Sequence, residues 1–177
     1  MMDIKITSDE TISDIKLIEN KIHFDTRGSL SKIFFQQISE SLSFSINEVF
    51  YSTNLKNVIR GIHFQNKIEE LKKIITCVDG EILDFFIDLR PTSKTFGMYS
   101  SVNISSENGL SVYIPEGFGH GFSVLSQSAT VLYLQSGNYN ILAEEGINPL
   151  SIEFDWQVKN PILSTRDLNH PDYKFPI

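Results

Sequence analysis

The chain has 177 residues and a net charge of −7, and its 41% hydrophobic and 21% charged residues are typical of a globular protein, which excludes a disordered or fibrous chain. The acidic balance argues against a general nucleic-acid-binding protein, which needs a basic surface. No apolar run approaches the roughly 18 residues of a membrane-spanning helix. The first residues lack the layout of a signal peptide. The single cysteine, Cys77, permits no internal disulfide. We therefore expect a cytoplasmic protein without a membrane or nucleic-acid partner. No Pro- or Gly-rich linker divides the chain, which predicts a single domain over residues 1–177.

Turn-forming residues recur about every 8 to 12 positions between short stretches rich in β-branched and aromatic residues, which is typical of an antiparallel sandwich or barrel. In chain order the pattern predicts one short helix over 35–42 and strands over 48–53, 58–64, 73–78, 81–89, 99–104, 111–114, 121–125 and 130–134. Asp79-Gly80 is a hairpin signal between two of these strands. Four prolines predict an irregular C-terminal segment: Pro149, Pro161, Pro171 and Pro176. The predicted fold is mainly β, a jelly-roll barrel with short helices.

Four segments concentrate ionisable residues, 24–28, 58–65, 114–122 and 163–167, and the first three also contain glycines. A glycine inside a strand often marks a bulge or the close approach of a ligand. Arg60 and His63 are three residues apart, so on a regular strand their side chains would point to opposite faces. We expect Gly61 to form a bulge that turns both side chains toward one cavity.

The residues Pro115–His120 form a Pro-x-Gly-x-x-His pattern that resembles the second motif of the cupin jelly-roll barrels, and residues 61–65 resemble the first. Metal-binding cupins carry a second histidine in the first motif where this chain has Gln65. With His63 and His120 alone, a zinc, iron or manganese site lacks its usual number of imidazoles, so we expect no metal.

More of the chain, from about residue 20 to 170, resembles the dTDP-4-dehydrorhamnose 3,5-epimerase family of cupins. The motifs that carry the resemblance are residues 60–65, 80–84, 114–122, 132–133 and 163–167. The resemblance implies a cupin epimerase that inverts C3, C5 or both in a nucleoside-diphosphate 4-keto-6-deoxyhexose, with neither metal nor organic cofactor. The products of such enzymes feed cell-surface polysaccharides such as the O-antigen of lipopolysaccharide or a capsule.

Four catalytic residues follow from this resemblance. His63 is the expected base, since its ordinary pKa lies near 6.5, and Asp167 is expected to orient it. Tyr133 would protonate the opposite face of the sugar. Lys73 would stabilise the enolate oxygen, where a preorganised cation is most effective.

The resemblance also implies a set of substrate-binding residues: Arg27, Arg60, His120, Tyr139, Glu144 and Arg166. Tyr139 would stack on the nucleotide base. The chain has only four arginines, and three of them match positions that contact the nucleotide sugar, which agrees with the need for fork-shaped recognition of a diphosphate.

Two positions near the base depart from the family pattern, since Lys32 replaces a Glu and Glu48 replaces a Gln. Thymine N3 is a hydrogen-bond donor, whereas cytosine N3 is an acceptor and its N4 amine is a donor. An ammonium at Lys32 and a carboxylate at Glu48 would suit cytosine, so the substrate could be CDP-linked or dTDP-linked. The alternative is that Lys32 points to solvent.

Members of the family are homodimers in which an N-terminal strand adds to the partner's sheet, so Arg27 and Lys32 are candidates for serving the neighbouring site. Two other functions stay open. A sugar-nucleotide 3,4-ketoisomerase also removes a proton beside a carbonyl, but such cupins carry more histidines than Gln65 allows. A non-catalytic nucleotide-sugar-binding cupin would need no base and acid such as His63 and Tyr133 together.

Overall fold

The structure is a computed structural model in which residues 5–66 and 71–174 are described. Two helices are α1 (Gln36–Leu42) and α2 (Thr165–Leu168), and a 3-10 helix covers Pro149–Ser151. The strands are β1 (Lys5–Ser8), β2 (Lys16–Glu19), β3 (Ile22–Asp25), β4 (Gly28–Ser31), β5 (Glu48–Leu55), β6 (Ile59–Gln65), β7 (Lys72–Asp79), β8 (Glu81–Asp88), β9 (Tyr99–Ser105), β10 (Leu110–Ile114), β11 (Phe118–Val124), β12 (Ser128–Ser136) and β13 (Glu144–Gly146). No helix in these ranges is both long and apolar enough to cross a membrane.

The strands form two antiparallel sheets and a separate hairpin. The six-stranded sheet has the order β1-β2-β10-β7-β12-β5, the five-stranded sheet has the order β13-β6-β11-β8-β9, and β3 pairs with β4 alone. Consecutive strands repeatedly lie in different sheets, as in a jelly roll, which confirms the predicted fold class.

Alternation along the strands divides the core into layers. On β8, Ile82 and Phe86 face the cluster between the two sheets, whereas Phe85 and Ile87 face the outer side of the five-stranded sheet. The C-terminal segment covers that outer side with residues such as Trp156. Helix α1 and its neighbours cover part of the outer side of the six-stranded sheet. The irregular C-terminal third therefore completes the core.

The structure confirms the predicted helix, which begins one residue later than expected, and all eight predicted strands. It adds β1 to β4, β13 and α2, which are short and lack a clear periodic pattern. The predicted hairpin at Asp79-Gly80 is wrong: β7 pairs with β10 and β12, and β8 pairs with β9 and β11. Gly80, with φ of 80°, turns the chain from one sheet into the other. A turn signal fixes local geometry, but burial of both inner faces decides the pairing.

The bulge expected at Gly61 is present. On β11, His120 lies opposite His63 and Phe122 lies opposite Arg60, so two residues of β6 oppose Gly121 alone. The extra residue brings Arg60 and His63 to the same face of the sheet, and both line one cavity between the sheets.

Candidate active site

The cavity lies inside the barrel and has a volume of about 320 Å³. Its lining includes eight of the predicted site residues: Arg60, His63, Lys73, His120, Tyr133, Tyr139, Glu144 and Arg166. They come from β6, β7, β11, β12, β13, the connection between β12 and β13, and the C-terminal segment, so the folded barrel brings together residues that are up to about a hundred positions apart in sequence.

His63 and Asp167 form a hydrogen-bonded dyad with 2.7 Å between His63 Nε2 and Asp167 Oδ1. The second carboxylate oxygen of Asp167 accepts a bond from the Gly61 amide at 3.3 Å. Ser164 caps helix α2 by accepting from the Asp167 amide, which fixes the position of the carboxylate. Burial raises the pKa of Asp167, but the bonds from His63 and Gly61 outweigh it and hold that pKa below its usual value. Because Nε2 donates to an ionised carboxylate, the basic lone pair of a neutral His63 lies on Nδ1.

Tyr133 is buried and its ring stacks on Phe50 of β5, with 4.6 Å between ring centroids and 11° between planes. Burial raises the pKa of the Tyr133 phenol to about 12, against the opposing influence of Ser52 and Arg60. Tyr133 therefore carries its proton at neutral pH and can act as an acid. Arg60 is itself held in place by a 3.0 Å bond from its Nε to Asn54 Oδ1.

A cation and a second His–carboxylate pair lie deep in the same cavity. Burial lowers the pKa of the Lys73 ammonium to about 8, although the carboxylates of Glu144 and Asp84 oppose the shift. His120 Nε2 lies 2.7 Å from Asp84 Oδ1, and both side chains are buried. Burial raises the pKa of Asp84, while His120 favours its ionised form. The floor of the cavity is therefore able to balance a developing negative charge with the Lys73 ammonium.

The rim of the cavity is held by Glu144. Its carboxylate binds the Arg166 guanidinium through two bonds, of 2.6 and 3.2 Å, and accepts a third from the Tyr139 hydroxyl. Glu48 lies one step outward, where its carboxylate accepts from the Tyr139 amide at 3.0 Å and from Gln135 Nε2 at 3.4 Å. Glu48 thus holds the segment that carries Tyr139.

Arg27 and Lys32 do not reach this cavity within one chain. Arg27 lies on the exposed β3–β4 hairpin and pairs with Asp25 at 2.5 Å, and Lys32 follows the hairpin, also exposed. The three arginines expected at one diphosphate site are therefore divided, with Arg60 and Arg166 at the cavity and Arg27 apart. The fourth, Arg90, pairs with Asp88 and Asp14.

The sequence missed three residues beside the site. Asp84 shares a strand face with the core residues Ile82 and Phe86, a pattern that places it inside the barrel but does not identify His120 as its partner. Phe50 is the stacking partner of Tyr133. His170 lies outside every motif of the sequence, yet its ring packs edge-on against His63 at 5.7 Å between centroids. No local motif marks His170, because its contacts depend on the path of the C-terminal segment.

The fold and the cavity define an acid–base enzyme on a cupin-type jelly roll. Residues 9–174 match the family model described as dTDP-4-dehydrorhamnose 3,5-epimerase. A dTDP-4-dehydrorhamnose 3,5-epimerase from Shigella flexneri is 38% identical over 163 residues, which cover 89% of this chain and 90% of that protein. A dTDP-4-dehydrorhamnose 3-epimerase from Streptomyces niveus is 40% identical over 118 residues, 66% of this chain and 57% of its own.

Among solved structures, the dTDP-6-deoxy-D-glucose-3,5-epimerase from Legionella pneumophila, in complex with dTDP-4-keto-L-rhamnose, superposes with a TM-score of 0.87. It is 31% identical, and the match covers 97% of this chain and all of that chain. The chain therefore belongs to the dTDP-4-dehydrorhamnose 3,5-epimerase family, which confirms the resemblance seen in the sequence.

Proposed function

We propose that this chain epimerises a dTDP-4-keto-6-deoxyhexose at C3 and C5 without a cofactor, by removing and returning the acidic protons beside the ketone. The observation that carries the proposal is the convergence of a His–Asp dyad, a protonated phenol and a buried ammonium on one cavity. Simple binding would require neither a base nor an acid. Inversion at carbon requires both, on opposite faces of the sugar ring.

In the proposed reaction, His63 Nδ1 takes the proton from the carbon beside the ketone, and the electron pair of the broken C–H bond moves to the ketone oxygen as an enolate. Asp167 stabilises the imidazolium that forms. Lys73 balances the enolate charge in a buried site, where a fixed cation is most effective. Tyr133 then donates its phenolic proton to the carbon from the opposite face, and solvent restores the two side chains to their starting protonation states.

The proposed substrate is dTDP-linked. The Legionella structure contains a dTDP-sugar, and Arg60 and Arg166 supply two guanidinium groups for a diphosphate at the cavity. The contacts of Glu48 favour a role in holding Tyr139 over one in reading a cytosine. The CDP-sugar hypothesis stays a prediction, and titration of the protein with dTDP and with CDP tests it: tighter binding of CDP would overturn the dTDP assignment.

We propose in addition that the chain works as a cytoplasmic homodimer and supplies a deoxysugar for surface polysaccharide. Strand β5 lies at the edge of the six-stranded sheet as described, and it exposes apolar residues including Tyr51. Such an edge is a site for pairing with a second chain. Because Phe50, Tyr51 and Ser52 of β5 also line the cavity, a hairpin added there by a partner would bring Arg27 and Lys32 to the site.

The test is proton exchange with solvent. The protein is incubated in D₂O with dTDP-4-keto-6-deoxyglucose, and deuterium at C3 and C5 is followed by NMR. We expect exchange at both carbons. Exchange at C3 alone would reassign the activity as a 3-epimerase, and no exchange at either carbon would refute the proposed function.

Two variants separate the roles of base and acid. His63→Asn should lower exchange at both carbons by about 10²- to 10⁴-fold, the usual contribution of a positioned base, while dTDP still binds. Tyr133→Phe keeps the base, so it should still exchange the proton but return it from the same face, with little net inversion. Unchanged turnover in His63→Asn would exclude His63 as the base.

A further inference from the structure

His63, Asp167 and His170 form a cluster that the acid–base reaction does not fully use. One ligand atom from each, two imidazole nitrogens and a carboxylate oxygen, lie within 4.8 Å of one another. Asp167 is buried, and His63 and His170 are half-buried, so the three groups converge at a partly enclosed point behind the cavity.

The surroundings of His170 support a ligand at this point. His170 Nε2 is buried and has no hydrogen-bond partner among the described residues. A buried nitrogen without a partner is costly, and a bound group that accepted its lone pair would remove that cost. Gly146 of β13 makes room for the ring, because a Cβ at this position would lie 2.4 Å from His170 Nε2. The imidazole is therefore accommodated by a residue without a side chain.

The donor set suits zinc. Two imidazoles and one carboxylate are a common set of three protein ligands in open zinc sites, where water takes the fourth position. Zinc bonds of about 2.0–2.1 Å place tetrahedral ligand atoms about 3.3 Å apart. The 2.7 Å His63–Asp167 pair must open slightly, and the His170 nitrogen must move inward, to reach this spacing.

We propose that His63, Asp167 and His170 form an inhibitory zinc site. A zinc ion on His63 Nε2 takes the place of the proton that Nε2 otherwise donates to Asp167. A neutral imidazole then carries its one proton on Nδ1, so the lone pair that faces the substrate is lost. The metal lies on the Asp167 side of the ring and leaves Arg60 and the rest of the cavity open. Zinc should therefore lower kcat and leave KM little changed.

The binding part of this inference is independent of the proposed function, whereas the inhibition part rests on it. Zinc affinity is measured first, without substrate, by competition with a chromogenic chelator. We expect one ion per chain, and His170→Gln should weaken binding by at least about 10- to 100-fold. His23→Gln is the matched control, because His23 is an exposed histidine on β3, and it should bind zinc like the unchanged protein.

Turnover is then measured with and without zinc, and with a chelator added afterwards. We expect reversible loss of kcat in the unchanged protein and in His23→Gln, and resistance in His170→Gln, with circular dichroism used to check that each variant is folded. His170→Asn provides a second variant with a smaller side chain. Equal zinc affinity in a folded His170 variant and the unchanged protein would overturn the site. A rise in KM alone would indicate that zinc binds the substrate diphosphate instead, and would overturn the inhibition.

Discussion

Lys73 shows how a single residue can serve a reaction at the expense of the fold. Its side chain is half-buried and lines the cavity, and desolvation lowers the pKa of the ammonium from the usual 10.5 to about 8 in the folded chain. Between these values the unfolded chain binds more protons, so the contribution of Lys73 to the free energy of unfolding rises with pH across that window. At pH 7 the buried charge costs about 3 kcal/mol, since one pKa unit corresponds to 1.36 kcal/mol.

Lys73→Met should therefore stabilise the protein and impair the reaction. We expect a higher Tm at pH 7 and a stability advantage that shrinks as pH rises from 8 to 10.5, together with a kcat lower by about 10²- to 10³-fold because a charge-stabilising group is lost. Lys72→Met is the control, since Lys72 pairs with Glu116 on the outer side and should change kcat little. Thermal unfolding over a pH series checks the first part, and a lower Tm at pH 7 would refute the buried-charge explanation.

At the same scale, the sequence predicted the residues of the cavity better than it predicted their partners. Arg60, His63 and Tyr133 lie in motifs that can be recognised locally, and all three line the cavity. The contact of His170 with His63 depends on the path of a C-terminal segment that has no periodicity, so the sequence alone could not predict it.

At the scale of the secondary-structure elements, one bulge in β6 brings Arg60 and His63 to the same cavity. Gly61 has φ of 115°, and a Cβ there would lie 2.6 Å from Gly121 Cα and 2.7 Å from the His120 carbonyl oxygen. Both the backbone conformation and the close approach of β11 therefore require glycine. The bulge was predictable, because Arg60 and His63 could share a face only if the strand gained a residue. The crossing of the chain from one sheet to the other at Gly80 could not be predicted, because strand pairing depends on strands that are distant in sequence.

Gly61→Ala should lower both stability and turnover. Left-handed strain alone costs about 1–2 kcal/mol for a residue with a Cβ, and the clash with two backbone atoms adds to it. Gly28→Ala is the matched control: Gly28 on the hairpin has φ of 130°, but a Cβ there would meet nothing within 4 Å, so only the backbone strain applies. Urea unfolding of both variants measures the difference. Equal losses would mean that contact with β11 contributes nothing.

At the scale of the whole molecule, the β3–β4 hairpin and the β5 edge both expose apolar side chains. Phe24 on the β3–β4 hairpin is 76% exposed and Tyr51 on the β5 edge is 69% exposed, and each surface also carries residues assigned to the substrate site. An uncovered apolar edge strand can pair non-specifically with other chains. Natural selection would therefore favour a defined partner that covers this edge. A second copy that exchanges hairpins would cover both surfaces and complete two sites at once.

The exchange predicts complementation between two inactive variants. Arg27→Ala keeps the His63 dyad but damages the hairpin, whereas His63→Asn keeps the hairpin but lacks the base. In a mixed dimer the intact hairpin of the His63→Asn chain reaches the intact dyad of the Arg27→Ala chain, which completes one site. Unfolding and refolding the two variants together should therefore restore up to one working site per mixed dimer. Lys5→Ala, an exposed charge on β1, should lose no activity by itself. Light scattering should report a dimer that Phe24→Ser weakens. If mixing gives only the sum of the separate activities while dimers form, Arg27 does not act on the neighbouring site.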